Sequence, residues 1–519
     1  MCGIFFYSGN LYTINDLINA FMASNHRGPD SSFLKRINNG IIGFHRLAIM
    51  DISNSGDQPF YKNDKVLVCN GEIYNFKDLK YHYSIETTSY SDCSVLLPMY
   101  EKLGLNMVNH LDGDFAIIIS DGDNVHLIRD PVGVKPLFYG FDKNGDILAS
   151  SEIKSIKPFV LKCYPVHSGT IVSFNTKNKN LHTRYWWNIK SISINEIRVH
   201  RTIHDKLCNA VKKRLMSDRP IGLFISGGLD SSLVAAIACM YVGKNIHSFS
   251  IGMEGSPDLE AARKVVKYLG IKNHHEVNFT VQEGIDAIPE VIKHLETYDI
   301  TTIRASVPQY LLSKYISQNT NIKVLLSGEG SDELFGGYLY FHKAPSDIEF
   351  QNESKKLIRE LEYFDVLRAD RTTSAWGLEV RAPFLDKGLI KYVMNIPASH
   401  KNPKNGRHIE KEILRDSFIG YLPEDILYRT KDAFSDACGR QWIPGVQSIC
   451  NELIKDEDYE NASKLYPYIT PKSKEAFCYR KIFEELYPEQ SHLLPHYWLP
   501  NWCDNATNEP SAKLLNLIS

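Results

Sequence analysis

No stretch of this 519-residue chain stays apolar for the ~20 residues that a membrane-spanning helix needs. Its start, Met1-Cys2-Gly3, also lacks the basic patch and apolar segment of a secretory signal. The chain is therefore expected to be soluble and cytoplasmic, with no membrane partner. An excess of one charge is missing too: 59 Lys and Arg stand against 61 Asp and Glu, a net charge of −2, so nothing electrostatic points to nucleic acid. The ten cysteines form no C-x-x-C pair and no zinc spacing, which excludes the common structural zinc sites and fits reduced thiols. No G-x-x-x-x-G-K-[ST] occurs, so a Walker-type phosphate loop is excluded. Internal repeats and low-complexity tracts are absent as well. The basic run Lys212-Lys213-Arg214 reads as a solvated helix face.

What is present is enough apolar content, 43% of the residues, to build more than one core, and two domains are expected. Up to about residue 185 the pattern is short β-rich runs at 4–7, 66–69 and 115–119, broken by Gly, Asn and Asp turns. This predicts a sheet-dominated α+β domain over 1–187, followed by a polar linker over 188–199. Beyond it, strands at 221–225 and 246–251 alternate with helices at 231–241 and 259–269, the second stopped by Gly270. That order predicts an α/β domain over 200–502 with a helix-covered parallel sheet. Its ligands would bind beyond the carboxyl ends of the strands, where Ser226 and Ser327 fall. Residues 503–519 read as a loosely held tail.

Six features carry chemistry. If Met1 is removed, Cys2 bears both a thiol nucleophile and a free α-amine of pKa about 7.7–8.0, which serves as general base near neutral pH. Asn70-Gly71-Glu72 follows an apolar run and offers a side-chain amide and a backbone N–H to an oxyanion; the plainer alternative is an Asn-Gly turn. Arg46 suits a carboxylate clamp or a structural ion pair. Asp92 suits an ammonium clamp or a helix N-cap. In the second half, Ser226-Gly227-Gly228-Leu229-Asp230-Ser231-Ser232 joins a strand to a helix, so its N–H groups and the helix N-terminus can cradle pyrophosphate. A second turn, Ser327-Gly328-Glu329-Gly330-Ser331-Asp332-Glu333, supplies carboxylates that with Asp230 suit Mg²⁺.

The ordered series Cys2-Gly3-Ile4, His26-Arg27-Gly28-Pro29-Asp30, Arg46-Leu47, Asn70-Gly71-Glu72-Ile73-Tyr74-Asn75 and Ser91-Asp92-Cys93 resembles class II glutamine amidotransferase domains. The second half resembles the synthetase domain of glutamine-hydrolysing asparagine synthetases, within the PP-loop ATP pyrophosphatases. The likeness runs through Glu296-Thr297-Tyr298-Asp299, Thr301-Thr302-Ile303-Arg304-Ala305-Ser306, Gly336-Gly337-Tyr338 and Arg381-Ala382-Pro383-Phe384-Leu385-Asp386. The resemblance implies an N-terminal-nucleophile (Ntn) sandwich followed by a HUP-like parallel sheet. It implies Cys2 as nucleophile, Asn70 and Gly71 as oxyanion hole, and Arg46, Leu47, Ala48, Ile49, Met50, Glu72 and Asp92 as the glutamine pocket. ATP would lie against Phe224, Ser226, Gly227, Gly228, Asp230, Ser231, Ile251, Ser327 and Gly328. Asp230 and Asp332 would hold Mg²⁺, Glu329 would take a proton from ammonia or orient the acyl-adenylate, and Lys431 would face pyrophosphate. Thr301, Thr302 and Arg304 would lie near aspartate. Glutamine, aspartate and ATP are the implied partners, and a homodimer is the family expectation. Two rivals stay open at this point: a relative that amidates another carboxylate, and a catalytically silent paralogue that senses metabolites.

Overall fold

The computed structural model describes every residue except 190, 191, 193, 195, 431–437 and 504–519. Lys431 and all of the expected tail but Cys503 thus lie outside the described residues. The chain forms two compact units: Met1–Asn188 with Met216–Pro220 and Thr373–Glu379, and Ile189–Leu215 with Ile221–Thr372 and Val380–Ser519. Among the described residues no helix is long and apolar enough to cross a membrane.

The first unit is built on two antiparallel six-stranded sheets. One runs β10 (Cys163–Pro165), β8 (Phe138–Phe141), β9 (Ile147–Ser150), β1 (Gly3–Tyr7), β3 (Gly40–Arg46), β2 (Ser31–Ile37). The other runs β12 (Leu181–Tyr185), β11 (Thr170–Asn175), β7 (Asn124–Arg129), β6 (Gly113–Asp121), β5 (Lys65–Ile73), β4 (Phe60–Lys62). The unbroken apolar run in β6 follows from this layering. Successive strand side chains point to opposite faces, and β6 has a core on each: Ala116 and Ile118 join Ile4, Phe6, Ile42 and Phe44 of the other sheet. Phe115, Ile117 and Ile119 pack instead with Leu96, Leu97 and Met99 of the helix Leu96–Leu103. β5 divides the same way, with Val66 and Val68 on one face and Leu67 and Cys69 on the other. A strand covered on both faces has no polar alternation to show.

The second unit carries a sheet in the order β15 (Asn273–Asn278), β14 (His247–Gly252), β13 (Ile221–Phe224), β16 (Val324–Leu326), β17 (Glu379–Arg381). The pairs from β15 to β16 are parallel, as the alternation of strands and helices predicts. β13 leads into the helix Leu229–Val242, whose residues 229–238 are all buried. β14 leads into the helix Pro257–Leu269, capped by Ser256, whose Oγ accepts from Leu259 N, and ended by Gly270 at φ 68°. That conformation favours glycine, so the sequence stop signal acts through it.

The basic run 212–214 is a solvated face only at Lys212, which is exposed. Arg214 is buried and donates to Asp386 Oδ2 at 3.1 Å, and Lys213 pairs with the same carboxylate. Local charge density shows neither where a helix faces nor what meets it.

Candidate functional sites

In the first unit β1 places Cys2 beside β5. Cys2 N donates to Asn70 Oδ1 at 2.9 Å, and Cys2 Sγ lies 3.8 Å from Leu47 O. With its oxygen so engaged, Asn70 keeps a fully buried Nδ2 that finds no hydrogen-bond partner among the described residues. An orphan buried donor is costly unless something transient uses it, and an oxyanion forming on a thiol adduct is such an acceptor. Asn70-Gly71 is no turn: both residues lie inside β5, opposite Ala116 and Phe115 of β6. Gly71 is required there because a Cβ would come within 2.3 Å of Asp114 O. For a reaction of the Cys2 thiol that forms such an oxyanion, Asn70→Ala is expected to lower kcat about 10²–10³-fold with a small change in KM, the usual loss for one oxyanion donor; steady-state kinetics measures it.

Arg46 directs Nη1 to Ser53 O at 2.8 Å and to Asp57 Oδ1 at 2.7 Å, and Nη2 to Asp51 O. The guanidinium is thus seated by the loop that follows β3 as well as by an ion pair. Asp92 is not an N-cap. Ser91 precedes the short 3₁₀ turn Asp92–Val95, and Asp92 Oδ2 accepts from Ile73 N at 2.6 Å, which fastens this buried carboxylate to the end of β5.

Met1 occupies the space behind the thiol. Its α-amine is buried 3.4 Å from Glu379 Oε2, and Lys135 Nζ lies 3.6 Å from the same oxygen. Arg27 Nε donates to Cys2 O at 3.0 Å, and its Nη1 pairs with Glu152 Oε1 at 2.7 Å. Glu379 stands far away in sequence and has no local signal. Burial pushes the Cys2 thiol up to about 11, an effect that the nearby amine only partly offsets. The thiol is protonated below that value, so near neutral pH it is almost wholly in the protonated form while Met1 is attached. Iodoacetamide labelling of Cys2 in Met1-retaining protein, followed by peptide mass spectrometry, is expected to be slow at pH 7.5 and to climb about tenfold per pH unit towards 10.

In the second unit one cavity collects the sequence-predicted nucleotide residues. Phe224, Ser226, Gly228, Asp230, Ser231, Ile251, Ser327, Gly328, Glu329 and Asp332 all line it. Gly227 does not, but at φ 74° it turns the chain, and a Cβ there would meet Ala261 at 2.5 Å. The loop is cross-braced: Ser226 N donates to Ser231 Oγ at 3.1 Å, and Gly228 N to Ser226 Oγ at 3.3 Å. Gly328 lets the second loop close on the first, since its Cβ would lie 2.7 Å from Ser231 N. Burial raises the Glu329 carboxyl above its ordinary range, against the pull of Arg368 Nη1 at 3.2 Å.

Sequence reasoning missed Lys411. Its Nζ lies 2.6 Å from Asp230 Oδ2 and 2.7 Å from Asp332 Oδ1, and its backbone is held at φ 59°. A non-glycine residue in that conformation stores strain, which is common at functional positions. Gly337 makes room for it, because a Cβ would sit 1.9 Å from Lys411 Cε. Two carboxylates converging on one cation position also form a donor set that suits a divalent cation. Arg368, with Asp365 Oδ1 at 2.5 Å, is a second lining cation without a sequence signal.

The structure does not bring Thr301, Thr302 and Arg304 into this cavity. They start the helix Ile300–Asn319, where Thr302 N and Oγ1 donate to the capping Asp299. Arg304 is buried, and its Nε donates to Glu475 Oε1 at 2.7 Å. Arg304→Met would leave Glu475 buried without its cation, so a stability loss of about 3–5 kcal/mol is expected, read from the urea midpoint. A changed aspartate KM at an unchanged midpoint would support the expected place of Arg304 near aspartate instead.

A family model for asparagine synthase matches residues 202–361 and 348–510, and one for a glutamine amidotransferase domain matches residues 1–197. The chain is 44% identical to a probable glutamine-hydrolysing asparagine synthetase of Acanthamoeba polyphaga mimivirus, covering 99% of this chain and all of that one. It is 43% identical to the asparagine synthetase of Bos taurus, over 99% of this chain and 98% of that one. Asparagine synthetase B of Escherichia coli is 42% identical, over 89% and 86%.

Proposed function

Since the chain belongs to the family of glutamine-hydrolysing asparagine synthetases, we propose that it makes asparagine from aspartate, with ATP as co-substrate and glutamine as nitrogen donor. Residues 1–187 form the glutaminase in this reading and residues 200–502 the synthetase. Loss of Met1 turns the Cys2 amide nitrogen, now 2.9 Å from Asn70 Oδ1, into the α-amine that takes the thiol proton. The thiolate adds to the glutamine carboxamide, and Asn70 Nδ2 meets the oxyanion. Ammonia leaves with a proton returned by that amine, and water hydrolyses the thioester to glutamate. Arg46 and Asp92 hold the substrate's carboxylate and ammonium.

In the synthetase, the β-carboxylate of aspartate attacks the α-phosphorus of ATP and pyrophosphate departs. Ammonia then attacks the acyl carbon, its proton passes to Glu329, and AMP leaves. The raised Glu329 carboxyl suits a proton acceptor that must release its proton again. Asp230 and Asp332 are the residues that would hold Mg²⁺, which when bound neutralises phosphate charge. Lys411 keeps the two carboxylates together and adds positive charge beside them.

The orphan Asn70 amide beside the thiol supports this reading most directly. The decisive test supplies purified protein, shown by intact mass to lack Met1, with glutamine, aspartate and MgATP. Equal amounts of asparagine, glutamate, AMP and pyrophosphate are expected. Glutamate without asparagine, or ADP in place of AMP, would sink the proposal.

A further inference from the structure

The loop at residues 48–51 is held by a segment that follows it by about 167 residues in the sequence. Between the helix Val199–Arg214 and β13, the segment Met216–Pro220 belongs to the first unit. Met216 packs against the core beneath β5. Ser217 Oγ accepts from Arg219 N at 3.0 Å and donates to Arg219 O at 2.8 Å, a tight turn that presents Asp218 and Arg219 to residues 48–51. Asp218 N donates to Ile49 O at 3.0 Å, and Asp218 Oδ2 accepts from Asp51 N at 2.7 Å. Arg219 Nε donates to Ala48 O at 2.9 Å. From the other side Asp30 Oδ2 accepts from Ala48 N at 2.8 Å and lies 3.9 Å from Arg219 Nη2.

Four backbone groups within four residues are thereby fixed, while the carbonyl of Leu47 is left towards the Cys2 thiol. The bracing continues through Asp51, held at φ 54°. Its carboxylate accepts from Ser89 Oγ at 2.8 Å and Tyr90 N at 2.9 Å, just ahead of Asp92, and its carbonyl accepts from Arg46. Asp218 is exposed and the Arg219 side chain is 34% exposed, so these bonds add little to folding stability. What they set is the path of the backbone over residues 48–51.

We propose that Asp218 and Arg219 are positioning residues for glutamine: they fix the path of residues 48–51 and, through Asp51, the spacing of Arg46 from Asp92. The inference rests on the glutaminase reading above. Arg219→Ala and Asp218→Ala test it in the full chain, with synthesis followed from glutamine and from ammonium separately. KM for glutamine is expected to rise about tenfold in each, with kcat within about threefold, as for loss of one or two bonds that orient a binding loop. Ammonium-dependent synthesis stays at the level of the unaltered enzyme, and Arg219→Lys, which restores one donor, recovers part of the affinity. An unchanged glutamine KM in both variants overturns the inference. So does a loss of ammonium-dependent synthesis in step with the glutamine reaction, because the segment would then serve the synthetase or folding. An unaltered enzyme that consumes no glutamine refutes the glutaminase reading itself, a distinguishable result.

Discussion

Cys2→Ala is expected to stop glutamine-dependent asparagine formation, by on the order of 10⁴-fold or more, while ammonium-dependent formation continues. The size follows from the chemistry: without the sulfur no thioester forms, and the oxyanion donor Asn70 faces no adduct to stabilise. The split follows from the fold, since Cys2, Asn70, Arg46 and Asp92 all belong to the first unit, and the cavity at Ser226 lies in the second. Side-by-side assays with glutamine and ammonium chloride decide it. Equal loss with both donors would mean that the thiol serves the synthetase as well.

Asp230→Asn is expected to produce the complementary defect. Asp230 sits in the first turn of the helix Leu229–Val242 and accepts hydrogen bonds from Ser331 Oγ at 2.7 Å and from Lys411 Nζ at 2.6 Å. The amide keeps the shape but removes one of the two charges that converge with Asp332 on a cation. Charge stabilisation of a reacting phosphate by a bound cation is worth several kcal/mol, so synthesis from either donor should fall on the order of 10³-fold. Glutamate release should persist, because the thiol site is untouched. Aspartate-dependent exchange of labelled pyrophosphate into ATP isolates the step, and exchange retained at near the original rate would remove Asp230 from the nucleotide chemistry.

The two architectures were readable because periodicity reports layering. Alternation of strands and long helices after residue 220 corresponds to a parallel sheet, since parallel strands need a crossover, and Gly270 ends its helix by adopting a conformation that other residues avoid. Element edges were less readable. Asn70-Gly71 has turn composition yet lies in mid-strand, because the partner strand and the close approach to Asp114 override local propensity. Asp92 has the composition of an N-cap, but its carboxylate reaches sideways to Ile73 N. Motif residues such as Ser226, Asp230 and Glu329 were visible because one loop carries several of them in a fixed spacing. Lys411, Arg368, Glu379, Asp218 and Arg219 were not, because the groups they meet at the sites lie far along the chain.

By itself the sequence determined the two fold classes, the thiol next to the initiator methionine, and the two loops that form the nucleotide cavity, all properties that short-range pattern and residue chemistry encode. Only the tertiary structure decided which cations meet which carboxylates. It paired Arg304 with Glu475, placed Lys411 between Asp230 and Asp332, and set Asp218 and Arg219 against residues 48–51. The physical reason is that an ion pair or a backbone brace depends on distances between segments that folding alone brings together, and charge carries no information about its partner until those distances exist.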